Sequence, residues 1–286
     1  MDKLSLDVVV TRGAVVESRH RVHAAVVDAT GALIASAHDA DVVAHWRSCA
    51  KPFQVMPLLA SGGFDRAGWG DDQLALACAS HGGEPEHVAI VEAMLAQAQL
   101  SGWPAFGYER QDHPVQRGCL DEVARWSGVD ASRIPQAIDG CGCVVFALPL
   151  VPMAIAFARL ADAARRSEGI PSRVVHAMQT RPFLLGGTDR FDSALIEATE
   201  GRVIAKIGAE GVHTAAVVEE GLGIAVKVED GTPRAQFPAL LGALQHLGAL
   251  PRDLPPRLAE FMQRPLRNTR GEVVGEVRLE RATPRA

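Results

Sequence analysis

Apolar and polar positions alternate near both ends of the chain and recur at helical spacing between them. The runs LDVVVTRG and RVHAAVVDATGALIASA alternate as β-strands do, and the turn signal DATG predicts a β-hairpin. From about Ser48 to Gly201, segments such as EPEHVAIVEAMLAQAQL and MAIAFARLADAARR predict helices. Strands return in GRVIAKIGAEG, HTAAVVEEG and LGIAVKVEDG, followed by a helix, PRAQFPALLGALQHLGAL, and a last strand, GEVVGEVRLE.

This order of elements predicts a single two-lobed domain over residues 1–286. Residues 1–46 and 201–286, from the two ends of the chain, are expected to build one mixed α/β lobe. Residues 47–200 are expected to form an all-helical lobe packed against it. A cleft between the two lobes would be the default binding site.

Composition narrows the function classes. The 286 residues are 48% hydrophobic and 22% charged, as in ordinary globular proteins, and the net charge of −5 comes without a basic run, so no nucleic-acid partner is expected. The N-terminus lacks the pattern of a signal peptide, and the longest apolar run, VVFALPLVPMAIAFA, is interrupted by Pro149 and Pro152. We therefore expect a cytoplasmic protein without a membrane partner. Five cysteines, an odd number, fit reduced thiols.

Lysine is rare here, since only four of the 29 basic residues are lysines: Lys3, Lys51, Lys206 and Lys227. Unlike arginine, a buried lysine can be neutral and act as a base. Lys51 follows Ser48 in RSCAK, an S-x-x-K spacing that puts both side chains on one helix face. By itself the spacing is equally compatible with an N-cap serine and a surface lysine.

Two further stretches carry candidate chemistry. In ASHGGEPEH, Ser80 and His81 precede Gly82 and a second glycine, whose amides could stabilise an oxyanion, although the same letters also describe a plain helix end.

Lys206 precedes a glycine by two residues in a predicted strand, AKIGAEG, which resembles the K-T-G element that accompanies S-x-x-K in serine β-lactamases. An exposed strand lysine is the alternative, and it suits Lys227 better. The three elements occurring in this order favour the catalytic interpretation.

The segments SCAKPFQVMPLL, CASHGGEPEHV, DHPVQR and AKIGAEGVH resemble the thermolabile, Rhizobium-type L-asparaginase II family over about residues 5 to 230. The resemblance implies an α+β fold like that of serine β-lactamases and glutaminases, with a mainly antiparallel sheet from both chain ends. It also implies two serine–lysine pairs, Ser48 with Lys51 and Ser80 with Lys206. The implied reaction is hydrolysis of L-asparagine to L-aspartate and ammonia by a serine nucleophile, and the implied assembly is a homodimer.

The chain departs from the family after Leu100, where the family's segment Asn-Asn-Cys-Ser-Gly-Lys-His is missing. That segment supplies part of a zinc site, whose remaining positions fall on Asp139 and Cys141. Two protein ligands make an incomplete structural zinc site, although Cys143 could substitute for a lost ligand. We therefore expect that no cofactor is required. A degenerate member of the family that binds an amino acid without turnover is the alternative function, and a β-lactam-reactive serine enzyme is a third, by analogy of fold alone.

Substrate groups are assigned by charge and by position. Arg47 could meet an α-carboxylate, whereas Glu84 or Asp139 could meet an α-ammonium group. An exposed arginine and a helix-start glutamate explain Arg47 and Glu84 equally well. The predicted substrate-binding residues are Arg47, His81, Gly82, Asp139 and Gly140.

Overall fold

The structure is a computed structural model that describes residues 1–98 and 111–280. The strands of this part of the chain are β1 (Asp2–Lys3), β2 (Val8–Arg12), β3 (Val15–His20), β4 (Val22–Asp28), β5 (Leu33–Ala37), β6 (Val43–His45), β7 (Gln136–Ile138), β8 (Val144–Pro149), β9 (Val203–Ile207), β10 (Val212–Val217), β11 (Leu222–Val228), β12 (Arg264–Arg267) and β13 (Val273–Leu279).

The α-helices of the same residues are α1 (Lys51–Gln54), α2 (Met56–Ala60), α3 (Gly63–Arg66), α4 (Asp71–Ala77), α5 (Pro85–Gln97), α6 (Pro114–Ser127), α7 (Leu150–Arg165), α8 (Gly169–Thr180), α9 (Pro182–Leu185), α10 (Phe191–Ala198), α11 (Pro233–His246) and α12 (Pro256–Met262). Short 3-10 helices span Arg47–Ala50 and Ala131–Arg133.

The central sheet joins the two ends of the chain, as the sequence predicts. Its six strands lie in the order β1-β5-β4-β11-β10-β9. All neighbouring pairs are antiparallel except β1 with β5. The hairpin expected at DATG is the β4–β5 connection, where the Gly31 amide donates to the Asp28 carbonyl. A second sheet, β12-β13-β2-β3, also combines both ends.

Two apolar cores lie on opposite faces of the central sheet, because successive strand residues point to opposite sides. Ala25 and Val27 of β4 belong to the core shared with the middle helices. Ala24 and Val26 belong to the core shared with α11. Helix α7 packs closely on β11, since a Cβ at Gly223 would lie 2.0 Å from the Ala154 carbonyl oxygen. Only glycine permits that approach.

The middle of the chain contains strands as well as the expected helices. Strands β7 and β8 pair with each other, and β8 also pairs with β6. The long apolar run divides at Pro149, where a buried strand ends and helix α7 begins. Its continuous burial hides the switch from strand to helix, because neither face of β8 is polar. The sequence did not predict these two strands.

The site where the family segment is expected to be missing, after Leu100, lies outside the described residues. Among residues 1–98 and 111–280, no helix is long and apolar enough to cross a membrane.

Candidate active site

The S-x-x-K stretch lies on a short helical turn fixed by aromatic packing. The 3-10 helix Arg47–Ala50 runs directly into α1, so Ser48 and Lys51 are one turn apart. Before the turn, Trp46 is fully buried and stacks on Phe53 with ring centroids 5.0 Å apart. The Trp46 amide also donates to the Phe146 carbonyl. The turn is therefore rigidly attached to the core of the helical region.

A cysteine ties this turn to the central sheet. The Cys49 thiol donates to the Lys206 carbonyl at 2.9 Å. A Cβ at Gly208 would lie 3.0 Å from Cys49 Sγ and 3.2 Å from the Trp46 carbonyl oxygen. Glycine in the Lys-x-Gly element thus lets the turn approach the end of β9. Burial raises the pKa of Cys49 to about 12, so it acts as a neutral packing group.

Lys206 is fully buried at the end of β9 and points at a hydroxyl. Its Nζ donates to Ser80 Oγ at 2.8 Å and to the Ile207 carbonyl at 3.0 Å. Desolvation lowers the pKa of Lys206 from 10.5 to about 8, although Asp192 opposes this change. A substantial share of Lys206 is consequently neutral at moderately alkaline pH.

The Ser80 hydroxyl lies between two amines. Lys51 Nζ is 3.5 Å from Ser80 Oγ and donates to the Ala79 carbonyl at 2.5 Å. Burial lowers the pKa of Lys51 as well. Ser80 therefore contacts both lysines from sequence positions 29 and 126 residues away. Ser48 is half-buried on the same turn as Lys51, but among the described residues its hydroxyl forms no hydrogen bond with either lysine.

The loop after Ser80 is held by backbone pairing to the segment before α10. The Ser80 amide donates to the Leu185 carbonyl, and the Gly82 amide donates to the Gly186 carbonyl, both at 3.1 Å. The Gly83 amide donates to His81 Nδ1 at 3.1 Å. Both glycine amides are thus engaged within the fold in this conformation, so the expected oxyanion-binding amides are not free here.

His81 and Glu84 are both occupied by neighbours. The His81 ring stacks on His87 with centroids 4.5 Å apart, and desolvation and the nearby cations lower its pKa. Glu84 accepts hydrogen bonds from the amide and the hydroxyl of Thr188, each at 2.7 Å, which lowers the pKa of this carboxylate. Glu84 therefore fastens the loop before α10.

The two charged candidates for substrate binding face each other. Arg47 Nε donates to Asp139 Oδ2 at 3.0 Å and Arg47 Nη2 donates to Asp139 Oδ1 at 2.8 Å. Arg47 adopts a left-handed backbone conformation with φ of 54°, which costs about 1–2 kcal/mol for a residue with a Cβ. Strain of this kind gathers at binding and active sites, because the surrounding structure must enforce it.

The turn that carries Asp139 also carries the expected zinc residues. The Asp139 amide donates to the Cys143 carbonyl, Gly140 donates its amide to Asp139 Oδ1 at 2.6 Å, and Cys141 is exposed. Burial and the adjacent Cys141 thiol raise the pKa of Cys143 to about 11.

No group of three or more His, Cys, Asp or Glu side chains that could hold a metal occurs within residues 1–98 and 111–280. Both oxygens of Asp139 are also taken by Arg47. The described residues therefore do not fit a zinc ion, and no chemical step is derived through one.

Sequence reasoning missed a buried pair behind Lys206. Asp192 of α10 and His213 of β10 are 3% and 0% exposed, and His213 Nε2 lies 2.7 Å from Asp192 Oδ1. Two signals pointed to them: a carboxylate among the apolar residues of RFDSALIEA, and a histidine within an otherwise apolar strand, VHTAAV. Fully buried ionisable groups require partners, so an ionisable residue within an apolar segment indicates a buried polar contact.

This arrangement can move protons. A hydroxyl flanked by two amines of lowered pKa can lose its proton to a neutral amine, which can pass it to a leaving group. The site therefore combines a serine hydroxyl with two lysine amines on a mixed α/β scaffold.

Solved structures share this scaffold. The chain is similar to the structure described as Mglu in its native form, with a TM-score of 0.53 and 18% identity over 80% of this chain and 65% of that one. Mglu in its glutamate form gives a TM-score of 0.53 at 20% identity, covering 80% of this chain and 61% of that one. The chain thus spans less than two thirds of either length. At this identity the likeness establishes the fold, and it confirms the expected β-lactamase-like class.

The L-asparaginase II family model matches residues 8–101 and 92–279. The chain belongs to this family, which confirms the resemblance seen in its motifs. A search of curated proteins found no match.

Proposed function

We propose that the protein hydrolyses the side-chain amide of L-asparagine to L-aspartate and ammonia by serine–lysine catalysis. The observation that supports this reaction is the Ser80 hydroxyl, 2.8 Å from the amine of Lys206 and 3.5 Å from that of Lys51. Family membership supplies the amide class. The lysine scarcity of the chain agrees with it, because two of its four lysines meet at one hydroxyl.

The proposed reaction proceeds in two stages. A neutral lysine amine takes the proton of the serine hydroxyl as Oγ attacks the amide carbon, and the protonated lysine then gives a proton to the departing nitrogen, which leaves as ammonia. Water releases aspartate from the acyl-enzyme by the same proton transfers in reverse. With its pKa at about 8, roughly a tenth of Lys206 is neutral at pH 7.

Two assignments of the nucleophile are proposed. Ser80 can attack with Lys206 as its base, or Ser48 can attack while Ser80 and Lys51 carry its proton. Arg47 and Asp139 are proposed to orient the α-carboxylate and α-ammonium groups, and His81, Gly82 and Gly140 are proposed to line the substrate site. The mutual pairing of Arg47 and Asp139 must then loosen as the substrate binds.

The test is ammonia release by the purified protein from L-asparagine, with L-glutamine as the competing substrate. Wild type, Ser48→Ala and Ser80→Ala are compared before and after dialysis against a chelator, and again with added zinc. We expect turnover in wild type, a loss of at least about 10³-fold in kcat/KM in both variants, and less than about a twofold response to chelation or zinc. A reactive diazoketone analogue of asparagine, followed by peptide mass mapping, then identifies which serine the analogue alkylates.

Activity that survives in both serine variants would contradict the serine–lysine proposal. Loss on chelation that zinc restores would contradict the metal-free proposal. A folded wild-type protein that L-asparagine stabilises against heat without any turnover would establish the alternative, a family member that only binds its amino acid.

A further inference from the structure

A buried carboxylate lies behind the lysine that contacts Ser80. Asp192 is 3% exposed, Lys206 and His213 are 0% exposed, and the three come from α10, β9 and β10. Charges this deeply buried are unfavourable unless each is paired or hydrogen-bonded. The reaction proposed above uses Lys206 but assigns nothing to Asp192 or His213.

The contacts form a continuous path to the reacting hydroxyl. Asp192 Oδ1 lies 2.7 Å from His213 Nε2, and Asp192 Oδ2 accepts the Ile207 amide at 2.8 Å. The Ile207 carbonyl in turn accepts Lys206 Nζ at 3.0 Å. Ile207 is therefore held by the carboxylate through its amide and holds the catalytic amine through its carbonyl.

Strand register separates the partners onto two faces of the sheet. Lys206 pairs with Thr214, and Ile207 pairs with His213. Because side chains alternate, Lys206 points toward the helical core and His213 points toward α11. Asp192 thus reaches Lys206 through the backbone of Ile207 and through its electrostatic field.

Among the described residues, the groups that act electrostatically on Lys206 are Asp192, a second lysine and two thiols. Lys51 is a second cation, and Cys49 and Cys78 are thiols whose pKa values burial raises to about 12. Neutral thiols supply no counter-charge. Asp192 is therefore the one anion among the groups that act on Lys206.

His213 keeps that carboxylate charged. Desolvation would raise the pKa of Asp192, but His213, Lys206 and the Ile207 amide together hold it below its ordinary value. His213 Nδ1 is buried with no partner among the described residues. The ring is thus best accommodated with its proton on Nε2, donated to Asp192, since a proton on Nδ1 would have no acceptor.

We propose that Asp192 is a positioning residue for Lys206: its carboxylate fixes Ile207 and supplies the negative charge against which the buried amine exchanges its proton, while His213 orients the carboxylate. The catalytic consequence of this inference rests on the proposed function. The electrostatic coupling itself can be measured without any substrate.

The experiment labels lysine with ¹³C at Cε and follows each signal by NMR against pH. The four lysines give four signals, which the variants Lys51→Arg and Lys206→Met assign. In Asp192→Asn, an isostere without the charge, we expect the pKa of Lys206 to fall by about one pH unit or more. In the matched control His213→Gln, which retains a donor for the carboxylate, we expect Lys206 to stay within about half a unit.

A reciprocal measurement covers the case in which Asp192→Asn does not fold. Coupling is mutual, so removing the amine in Lys206→Met must raise the pKa of Asp192, followed by ¹³C labelling of aspartate. A folded Asp192→Asn protein with an unmoved or raised Lys206 pKa would overturn the proposal. An unmoved Asp192 pKa in Lys206→Met would do so equally.

The kinetic readout separates positioning from plain structural support. In Asp192→Asn, the limb of the kcat/KM pH profile that reports Lys206 should move to lower pH by the same amount as the NMR titration. A uniform drop in rate with an unmoved limb would contradict the proposal. If wild type shows no amidase activity while the NMR shifts occur as expected, the coupling stands and the proposed function fails.

Discussion

The candidate site has two sides that bury their charged groups to different extents. The sheet side is Lys206 at the end of β9, and the turn side is Arg47 with Asp139. On the sheet side, Lys206 is fully buried, and its amine donates to the half-buried Ser80 hydroxyl. On the turn side, Arg47 and Asp139 form a bidentate ion pair, and their side chains are 24% and 16% exposed. The comparison shows that Lys206 is withdrawn from solvent, whereas Arg47 and Asp139, the side chains proposed to recognise substrate, stay partly exposed.

The energies of the two sides differ accordingly. A fall in the Lys206 pKa from 10.5 to about 8 corresponds to a destabilisation of about 3 kcal/mol at neutral pH. An exposed ion pair is typically worth about 0–1 kcal/mol. The buried lysine therefore destabilises the fold more than the turn side does, where the left-handed backbone of Arg47 costs about 1–2 kcal/mol.

The largest expected effect comes from removing the buried amine. Lys206→Met keeps the length of the side chain but cannot carry a proton, so we expect kcat/KM for L-asparagine to fall at least about 10³-fold. The same variant should be more stable than wild type at pH 7 by up to about 3 kcal/mol, as measured by urea unfolding. A less stable Lys206→Met protein would contradict the assignment of Lys206 as a costly buried cation.

The stability difference between Lys206→Met and wild type should depend on pH, in a direction that follows from the Lys206 pKa. The folded-state pKa of Lys206, about 8, lies below the unfolded value of 10.5, so the unfolded chain binds more protons between these limits. Wild type must therefore gain stability relative to Lys206→Met as pH rises from about 8 to above 10. A constant difference in the free energy of unfolding between the two proteins over this pH range would show that folding does not lower the pKa of Lys206.

An intermediate effect is expected at the second amine. Lys51→Arg keeps positive charge next to Ser80 but removes the capacity to release a proton, so kcat/KM should fall about 10²-fold. Lys227→Arg is the matched control, because Lys227 lies in β11 and donates to the Glu210 carbonyl. Equal rates for wild type and Lys51→Arg would remove Lys51 from the proton path.

The smallest effect is expected on the turn side. Arg47→Ala and Asp139→Ala should each raise KM about tenfold with little change in kcat, because they remove orientation of the substrate. The double variant should lose less than the sum of the single losses, by at least about 0.5 kcal/mol, since the two side chains are bound to each other. Strict additivity would show that they act separately.

The sequence predicted those features that local patterns carry. Alternation at the two ends predicted a sheet that combines them, and three short motifs drew attention to Ser48, Lys51, Ser80 and Lys206. Strands β7 and β8 escaped prediction, because β8 is buried on both faces and runs into α7 without a polar break. Local periodicity cannot separate a short buried strand from the helix that follows it.

Contacts between residues that lie far apart in the chain could not be predicted from the sequence. Arg47 and Asp139 were each assigned a substrate group, yet 92 residues apart in the chain they meet as partners. Asp192 and His213 each stand out within an apolar segment, but the sequence does not show that helix α10 and strand β10 bring the two side chains together. What sequence reasoning lacked was the set of long-range contacts that decides which charges satisfy one another.

The backbone pairing of Ser80 and Gly82 with Leu185 and Gly186 has a consequence for movement. Those two hydrogen bonds join the serine loop to the segment leading into α10, so the hydroxyl and the sheet side of the site travel as one rigid body. The turn with Asp139 is joined to the same body through Arg47, whose 3-10 helix is tied by Cys49 to the Lys206 carbonyl. Substrate entry and product exit are therefore expected to require only that the Arg47 and Asp139 side chains separate, while the backbone on both sides of the site stays in place.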